Sequence, residues 1–161
     1  MKLQKLLSVI FVLLCTTLAA SAENYVTPAD SGIYRIINLK YNLALAQDFT
    51  NGGMICDAIG DESDCIQLWQ LCKKGTGWTL QNLYTGDYVK AAGSFYKQVM
   101  TSTTPATYYL KENSVMSKSY NMWVNTSQAY SLHCDNDNNI VPWYKGSDGV
   151  SASEWGFVKV E

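Results

Sequence analysis

One short phrase of the sequence occurs three times, and its spacing restricts the fold more than any other feature of the chain. An aromatic residue, an apolar residue two positions later and a closing asparagine define Tyr34–Asn38 and Trp78–Asn82, and a looser copy spans Asn121–Asn125. The closing asparagines recur about every 43 residues. Trp69 and Trp155 each follow about 30 residues after one of these asparagines. Such a period indicates three copies of one structural unit.

The content of each copy predicts strands and no long helix. Runs of four to six residues rich in β-branched and aromatic side chains alternate with turn signals such as Asn51–Gly53 and Asp135–Asn139. About four such runs occur in each copy, which predicts an all-β protein of about twelve strands. A propeller of four-stranded units needs at least four blades to close. Three units of this size close as a β-trefoil, which is the fold that we predict.

The motifs carried by these copies resemble those of a ricin-type β-trefoil lectin domain. They are Tyr34–Asn38, Gln67–Trp69, Asn82–Gly86 and a terminal segment from Ile140 to Trp155. The resemblance covers residues 33–161, which it divides into repeats of about 33–76, 77–119 and 120–161. It implies that the Gln-x-Trp residues build the barrel. We therefore expect Trp69, Trp78 and Trp155 to be structural core residues.

The first residues have the pattern of a targeting segment. Lys2 and Lys5 precede the apolar run Leu6–Leu14, and Ala20–Ala22 provides small residues for cleavage. The apolar run is too short to span a bilayer comfortably. We predict a signal peptide over residues 1–22, a short tether over 23–32, and a secreted protein of bacterial type that is extracellular or periplasmic.

Charge and cysteine content restrict the partners and the chemistry of the mature chain. Without Lys2 and Lys5 it has ten basic and fourteen acidic residues, so neither nucleic acid nor an anionic membrane is an expected partner. Four cysteines remain after cleavage, an even number that suits an oxidising compartment. Four cysteines allow three connectivities, and Cys56 with Cys65, facing each other across a hairpin, is the pair that we favour. The alternative is that some are free, buried thiols.

The resemblance also implies where a sugar would bind. Sugar-binding members of the family use an Asp after the second strand, an aromatic residue at the end of the third, and an Asn before the fourth. The first two repeats lack the Asp and the aromatic residue, whereas the third keeps an aromatic residue at Trp143. The predicted ligand-binding residues are Trp143, His133, Asp135, Asn138, Tyr144 and Asp148.

Each of these residues also has a structural interpretation. Trp143 could belong to the core, and His133, the sole histidine, could be a packed or surface residue. The segment Asp135–Asn139 resembles the start of a calcium loop, but Ile140 and Gly146 occupy the sixth and twelfth positions, where such a loop has Gly and Glu. A hairpin turn is the better interpretation, and we expect no metal and no cofactor.

The sequence favours a binding protein over an enzyme. It contains no metalloprotease helix motif, no nucleophile elbow and no phosphate-binding loop. His133 and Cys134 are adjacent in a predicted strand, so their side chains would point to opposite faces and could not form a catalytic dyad. The leading hypothesis is a secreted carbohydrate-binding module whose partner is a glycan or glycoconjugate. The alternative is a protein-binding trefoil, either an inhibitor or an adhesion partner.

Overall fold

A computed structural model describes residues 25–61, 64–114, 116–144 and 151–160. These residues contain twelve strands and one short 3₁₀ helix, Cys65–Gln67, before the fourth strand. The strands are β1 Gly32–Asn38, β2 Leu43–Gln47, β3 Met54–Asp57, β4 Leu68–Lys74, β5 Gly77–Asn82, β6 Tyr88–Val89, β7 Thr101–Ser102, β8 Tyr109–Glu112, β9 Ser119–Trp123, β10 Tyr130–Cys134, β11 Ile140–Tyr144 and β12 Glu154–Lys159. The described part of the chain has no helix that is long and apolar enough to cross a membrane.

Six of the strands form a closed barrel. β1 pairs with β4 and β12, β4 pairs with β5, and β9 pairs with β8 and β12, all antiparallel. An isolated bridge between Trp78 and Tyr108 joins β5 to the start of β8 and completes the ring. The remaining six strands are three hairpins, β2–β3, β6–β7 and β10–β11, which belong to one repeat each. This arrangement is a β-trefoil, so the predicted all-β class and fold are confirmed.

The three hairpins are joined to one another at one end of the barrel. The backbone N–H of Met54 donates to the carbonyl of Val99 over 2.8 Å, and the N–H of Val99 donates to Ile140 over 2.7 Å. The N–H of Cys56 donates to Asn138 over 2.7 Å. Each hairpin therefore touches the other two, which brings residues of different repeats into contact.

The barrel repeats one aromatic arrangement three times. In the strand register Tyr34 lies opposite Trp69, Trp78 opposite Tyr108, and Tyr120 opposite Trp155. The second member of each pair is fully buried. Its polar atom donates to a backbone carbonyl at the second strand of the same repeat. Trp69 Nε1 donates to Leu45 on β2 over 2.9 Å, and Trp155 Nε1 donates to Leu132 on β10 over 3.1 Å. Tyr108 Oη donates to Lys90, the residue directly after β6. Tyr108 thus takes the position of the tryptophan in the second repeat.

The repeated asparagine has a structural role in the first two repeats. Asn38 and Asn82 are both fully buried. Their Nδ2 atoms donate to the carbonyls three residues before the barrel tryptophans, Ala152 at 2.9 Å and Ile66 at 2.8 Å. The third copy is shifted by one residue relative to the predicted phrase, because Tyr120 rather than Asn121 lies opposite Trp155. Asn125 is exposed and takes no equivalent position.

The predicted core tryptophans differ in burial. Trp69 and Trp155 are inaccessible to solvent, whereas Trp78 is half-buried, with Lys73 Nζ 5.3 Å from its ring centre. Trp78 is the first member of its pair, the position that Tyr34 and Tyr120 hold in the other two repeats. Trp123, which lies outside the predicted core set, is almost fully buried at 2% exposure.

Part of the predicted tether is attached to the barrel. Tyr25 bridges to Val158 on β12, and the N–H of Val26 donates to Phe157 over 2.8 Å. The Tyr25 ring lies so close to Gly156 that a Cβ there would be 2.5 Å from it. The segment lacks a repeating apolar pattern, which is why the sequence alone did not indicate that one aromatic residue fixes it.

Candidate functional site

The β10–β11 hairpin of the third repeat presents aromatic side chains close together. Tyr130 pairs with Tyr144 across the two strands, and Ser131 pairs with Trp143. The rings of Tyr130 and Tyr144 are 5.0 Å apart. Interaction with the neighbouring Tyr144 hydroxyl raises the pKa of Tyr130. The hairpin therefore offers both ring surface and hydroxyl groups at the end away from its turn.

A loop of the second repeat adds two more rings. This loop connects β6 to β7, and the N–H of Tyr96 donates to the Pro142 carbonyl on β11 over 3.3 Å. The Phe95 ring centre lies 4.6 Å from that of Tyr144 and 5.1 Å from that of Trp143. The Tyr96 ring meets Trp143 edge-on at 4.7 Å. We call Phe95, Tyr96, Tyr130, Trp143 and Tyr144 the aromatic face.

Three rings of the aromatic face are open to solvent. Tyr96 is 56% exposed, Tyr144 54% and Phe95 38%. Clusters of large exposed aromatic side chains are unusual on a monomer and commonly mark binding sites. The exposed rings supply a flat apolar surface, and the tyrosines add hydroxyl groups at its edge.

Trp143 lies beneath this surface rather than alone on it. It is half-buried, and the His133 ring stacks against it at 5.2 Å with an interplanar angle of 23°. Phe95 and Tyr96 approach the same indole from the second repeat. Trp143 therefore holds the exposed rings in place and offers only part of its own surface to a ligand.

His133 connects the aromatic face to the barrel. Its Nδ1 atom is 2.8 Å from Ser153 Oγ, and Ser153 is buried at 1% exposure. Burial lowers the pKa of His133, the positive charge of Lys40 lowers it further, and Asp135 opposes both. The imidazole is therefore neutral at pH 7, which suits a ring stacked on an indole.

The other predicted polar residues lie away from Trp143, at the turn of the hairpin. Asp135 Oδ1 accepts the N–H groups of Asp137 and Asn139, both at 2.9 Å. Asn138 has a left-handed backbone, with φ of 63°, and its carbonyl accepts the N–H of Cys56. These bonds are those of a hairpin turn, the interpretation preferred above. Asp148 lies outside the described residues.

The structure does not contain the predicted disulfide between Cys56 and Cys65. All four described cysteines are free thiols. Cys56 points into the core at 3% exposure, whereas Cys65 is exposed in the short 3₁₀ helix. The hairpin partner of Cys56 is Leu45, so the assumption that Cys65 faces it across a hairpin was the error.

Two features of the site were not found from the sequence. Phe95 and Tyr96 belong to a different repeat from Trp143, and only the joining of the hairpins brings them together. The sequence did contain one signal. Phe95 and Tyr96 are adjacent aromatic residues that directly follow the turn-forming pair Gly93-Ser94, so they were candidates for exposed rings. Tyr130 was assigned to a strand but not to the site.

The described residues contain no cluster of three or more histidine, cysteine or carboxylate side chains that could hold a metal ion.

A second pair of exposed rings lies elsewhere, where Phe49 (54% exposed) meets Tyr84 (66% exposed) at 5.2 Å. Leu83, at 40% exposure, is next to it in sequence. This smaller patch joins the first repeat to the second.

Comparison with solved structures identifies the fold independently. The Macrolepiota procera ricin B-like lectin, solved with lactose, matches with a TM-score of 0.73 at 15% identity over 82% of this chain and 98% of its own. The Rhizoctonia solani agglutinin matches with a TM-score of 0.66 at 18% identity, covering 84% of this chain and 99% of its own. ThreeFoil, a designed protein with threefold symmetry, matches with a TM-score of 0.67 at 17% identity, covering 80% and 99%.

Sequence comparisons give no closer relationship. No family model matches the chain, and a search of characterised proteins finds no relative. At these identities the solved structures establish the architecture alone. The chain is a β-trefoil whose fold is shared with ricin B-like lectins and with a designed threefold-symmetric protein.

Proposed function

We propose that this protein is a carbohydrate-binding module that holds a glycan on the aromatic face. The observation that carries the proposal is the group of three exposed rings, Phe95, Tyr96 and Tyr144, assembled from two repeats around Trp143. The apolar side of a pyranose ring packs against such a surface, and neighbouring hydroxyl groups bond to the sugar. The similar Macrolepiota procera lectin was solved with lactose, a fact that supports the same ligand class for this chain.

The backbone of Tyr96 supports a role in binding. Its φ is 67°, a left-handed conformation that costs a residue with a side chain on the order of 1–2 kcal/mol. Burial does not offset this cost, because more than half of the side chain is exposed. Strained residues that the core does not require are concentrated at functional sites.

The phenol groups of Tyr96, Tyr130 and Tyr144 belong to the aromatic face, whereas Asp135 and Asn138 lie at the hairpin turn. We therefore assign the sugar hydroxyls to the three phenol groups. Binding through few polar groups on an open surface would be weak, in the millimolar range. No catalytic role is proposed, because a shallow face of this kind does not exclude water.

Export of the protein is a further part of the proposal. The Lys2–Ala22 pattern supports cleavage before Glu23 and a location outside the cytoplasm of a bacterial cell. Intact-mass analysis of protein from the native host tests it: loss of 22 residues is expected, and retention of Met1 or a lipid on Cys15 would contradict it.

The experiment for ligand binding is a glycan array followed by titration calorimetry of the best glycan. Replacement of Trp143 by alanine should weaken binding about ten- to a hundredfold, since the exposed rings lose their support. Tyr84→Ala is the control, because it removes an exposed ring from the other patch and should leave affinity unchanged. Equal binding by wild type and Trp143→Ala would refute the site.

A protein ligand is the second candidate, and the Phe49–Tyr84 patch favours it. Two exposed rings with Leu83 beside them form an apolar area of the kind found in protein interfaces. If no glycan binds, the Tyr84→Ala and Trp143→Ala variants show which of the two patches binds a protein partner. Loss of a protein partner on Tyr84→Ala but not on Trp143→Ala would assign the function to this patch.

A further inference from the structure

Two buried cysteines from different repeats face each other in the core. Cys56 lies on β3 of the first repeat and Cys134 on β10 of the third, and both belong to the main hydrophobic cluster. Their exposures are 3% and 0%. The backbone brings them together, because Ile55 bridges to Asn139 and the N–H of Cys56 donates to the carbonyl of Asn138 over 2.7 Å.

The two thiols are neighbours in the same buried cluster, close enough that each shifts the pKa of the other. The Cys134 thiol donates to the Asp135 carbonyl, 3.7 Å from its sulfur. Neighbouring thiols reach bonding distance by side-chain rotation when their Cα atoms lie within about 7 Å of each other. The other two cysteines have different surroundings: Cys65 is exposed, and Cys72 is half-buried on β4.

We propose that Cys56 and Cys134 form a disulfide that joins the first repeat to the third when the chain folds in the presence of a disulfide oxidant. Oxidised glutathione is such an oxidant. The Cys134 thiolate attacks one of its sulfur atoms and releases one glutathione thiolate, and the Cys56 thiolate then displaces the second glutathione from the mixed disulfide. The two cysteine thiols lose two protons and two electrons in total, and the glutathione disulfide is reduced to two thiols.

The interaction between the two thiols also favours one of them as the first to react. Interaction with Cys56 lowers the pKa of Cys134, whereas interaction with Cys134, together with burial, raises the pKa of Cys56. Cys134 is thus the preferred thiolate. Because both sulfur atoms are shielded in the folded chain, the bond must form during folding or in a transient opening.

The bond would have a consequence for the aromatic face. Cys134 ends β10, the strand that carries Tyr130 and His133, and the bond would attach that strand covalently to β3. It would close a loop of about 78 residues, long enough for a substantial loss of unfolded-state entropy. The hairpin that supports the aromatic face would then be fixed to the first repeat.

The test is refolding of the reduced chain in a glutathione redox buffer, followed by alkylation and digestion without reductant. Trypsin and then cleavage before aspartate separate Cys56 from Cys65 and Cys72, because Asp57 follows Cys56 directly. The expected product links the peptide ending at Cys56 to the peptide ending at Cys134, with Cys65 and Cys72 alkylated. Four alkylated cysteines, or any other linkage, would overturn the proposal.

A stability measurement gives an independent readout. Reductant should lower the melting temperature of the oxidised wild type on the order of 10 °C, and it should leave the Cys134→Ala variant unchanged. The Cys65→Ser/Cys72→Ser variant should behave as wild type. If reductant does not change the wild-type melting temperature, or changes it only when Cys65 and Cys72 are present, no stabilising bond joins Cys56 and Cys134.

Discussion

The barrel and the aromatic face use aromatic residues in opposite ways. In the barrel, Trp69, Tyr108 and Trp155 occupy equivalent positions, each is buried, and each donates to a backbone carbonyl of its own repeat. In the aromatic face, Phe95 and Tyr144 come from different repeats and remain exposed. The barrel needs the same contact three times to close, whereas a ligand site needs to form only once.

The comparison explains which residues can vary among repeats. A buried donor has to find a carbonyl, so only a side chain that reaches it is tolerated, and Tyr108 does so in place of tryptophan. The hairpin ends carry no such requirement. They can differ in each repeat, and one of the three junctions has become rich in aromatic residues.

Removing a barrel tryptophan should have the largest effect. Trp69→Ala empties a large core site and leaves the Leu45 carbonyl without its partner, at a cost of about 3–5 kcal/mol in the free energy of unfolding. Chemical denaturation followed by circular dichroism measures it. Trp143→Ala should cost less, since that side chain is only half-buried; an equal loss would show that Trp143 belongs to the core.

Replacing Asn82 and replacing Asn125, the closing asparagines of two copies of the phrase, should have clearly different effects on stability. Asn82→Ala removes the bond to Ile66 and the acceptor for the N–H groups of Tyr84 and Thr85, which should cost about 2–3 kcal/mol. Asn125→Ala, at an exposed position, should change stability by less than about 0.5 kcal/mol. Equal effects in denaturant unfolding would contradict the shifted register of the third repeat.

A smaller effect of opposite sign is expected at Tyr96. Glycine adopts the left-handed conformation without strain, so Tyr96→Gly should keep or raise the free energy of unfolding by up to about 1 kcal/mol. Tyr84→Gly is the comparison at a position without positive φ. If Tyr96→Gly destabilises the protein by several kcal/mol, then Tyr96 is needed for the fold and its strain says nothing about ligands.

The smallest effect concerns the protonation of His133. Its lowered pKa means that the folded state takes up a proton at lower pH than the unfolded state does. Stability should therefore be complete above about pH 6.5, the unfolded value, and decline as pH falls through it towards the folded pKa. Because the chain has one histidine, its proton resonance can be followed directly. A midpoint at or above the unfolded value would contradict the stacking of a neutral ring on Trp143.

The sequence was sufficient for the fold because the fold depends on repetition. The period of about 43 residues, the asparagines at 38 and 82 and the tryptophans at 69 and 155 all report the same barrel contacts. The two tryptophan contacts span 24 and 23 residues, so the same spacing recurs in the chain. Only the third copy was misplaced, by one residue. Asn125 looks like the closing asparagine of the phrase, but the third repeat has no asparagine at that structural position.

The site was less predictable because it depends on contacts between repeats. Trp143 was found by its position within one repeat, but Phe95 reaches it from another. Asp135 looked available for a ligand, although an aspartate at the start of a tight turn commonly bonds the backbone two to four residues later. Cys56 looked close to Cys65 in the chain, although its thiol neighbour is Cys134.

The central claim is that a glycan binds the aromatic face and leaves the barrel unchanged, and the indole N–H resonances test it most directly. The five tryptophans give separate signals, and that of Trp143 can be assigned with a Trp143→Phe variant. On titration with the glycan selected by the array, the Trp143 signal should shift, while those of Trp69 and Trp155, bonded inside the barrel, should stay in place. A titration that shifts Trp78 and leaves Trp143 unmoved would contradict the account.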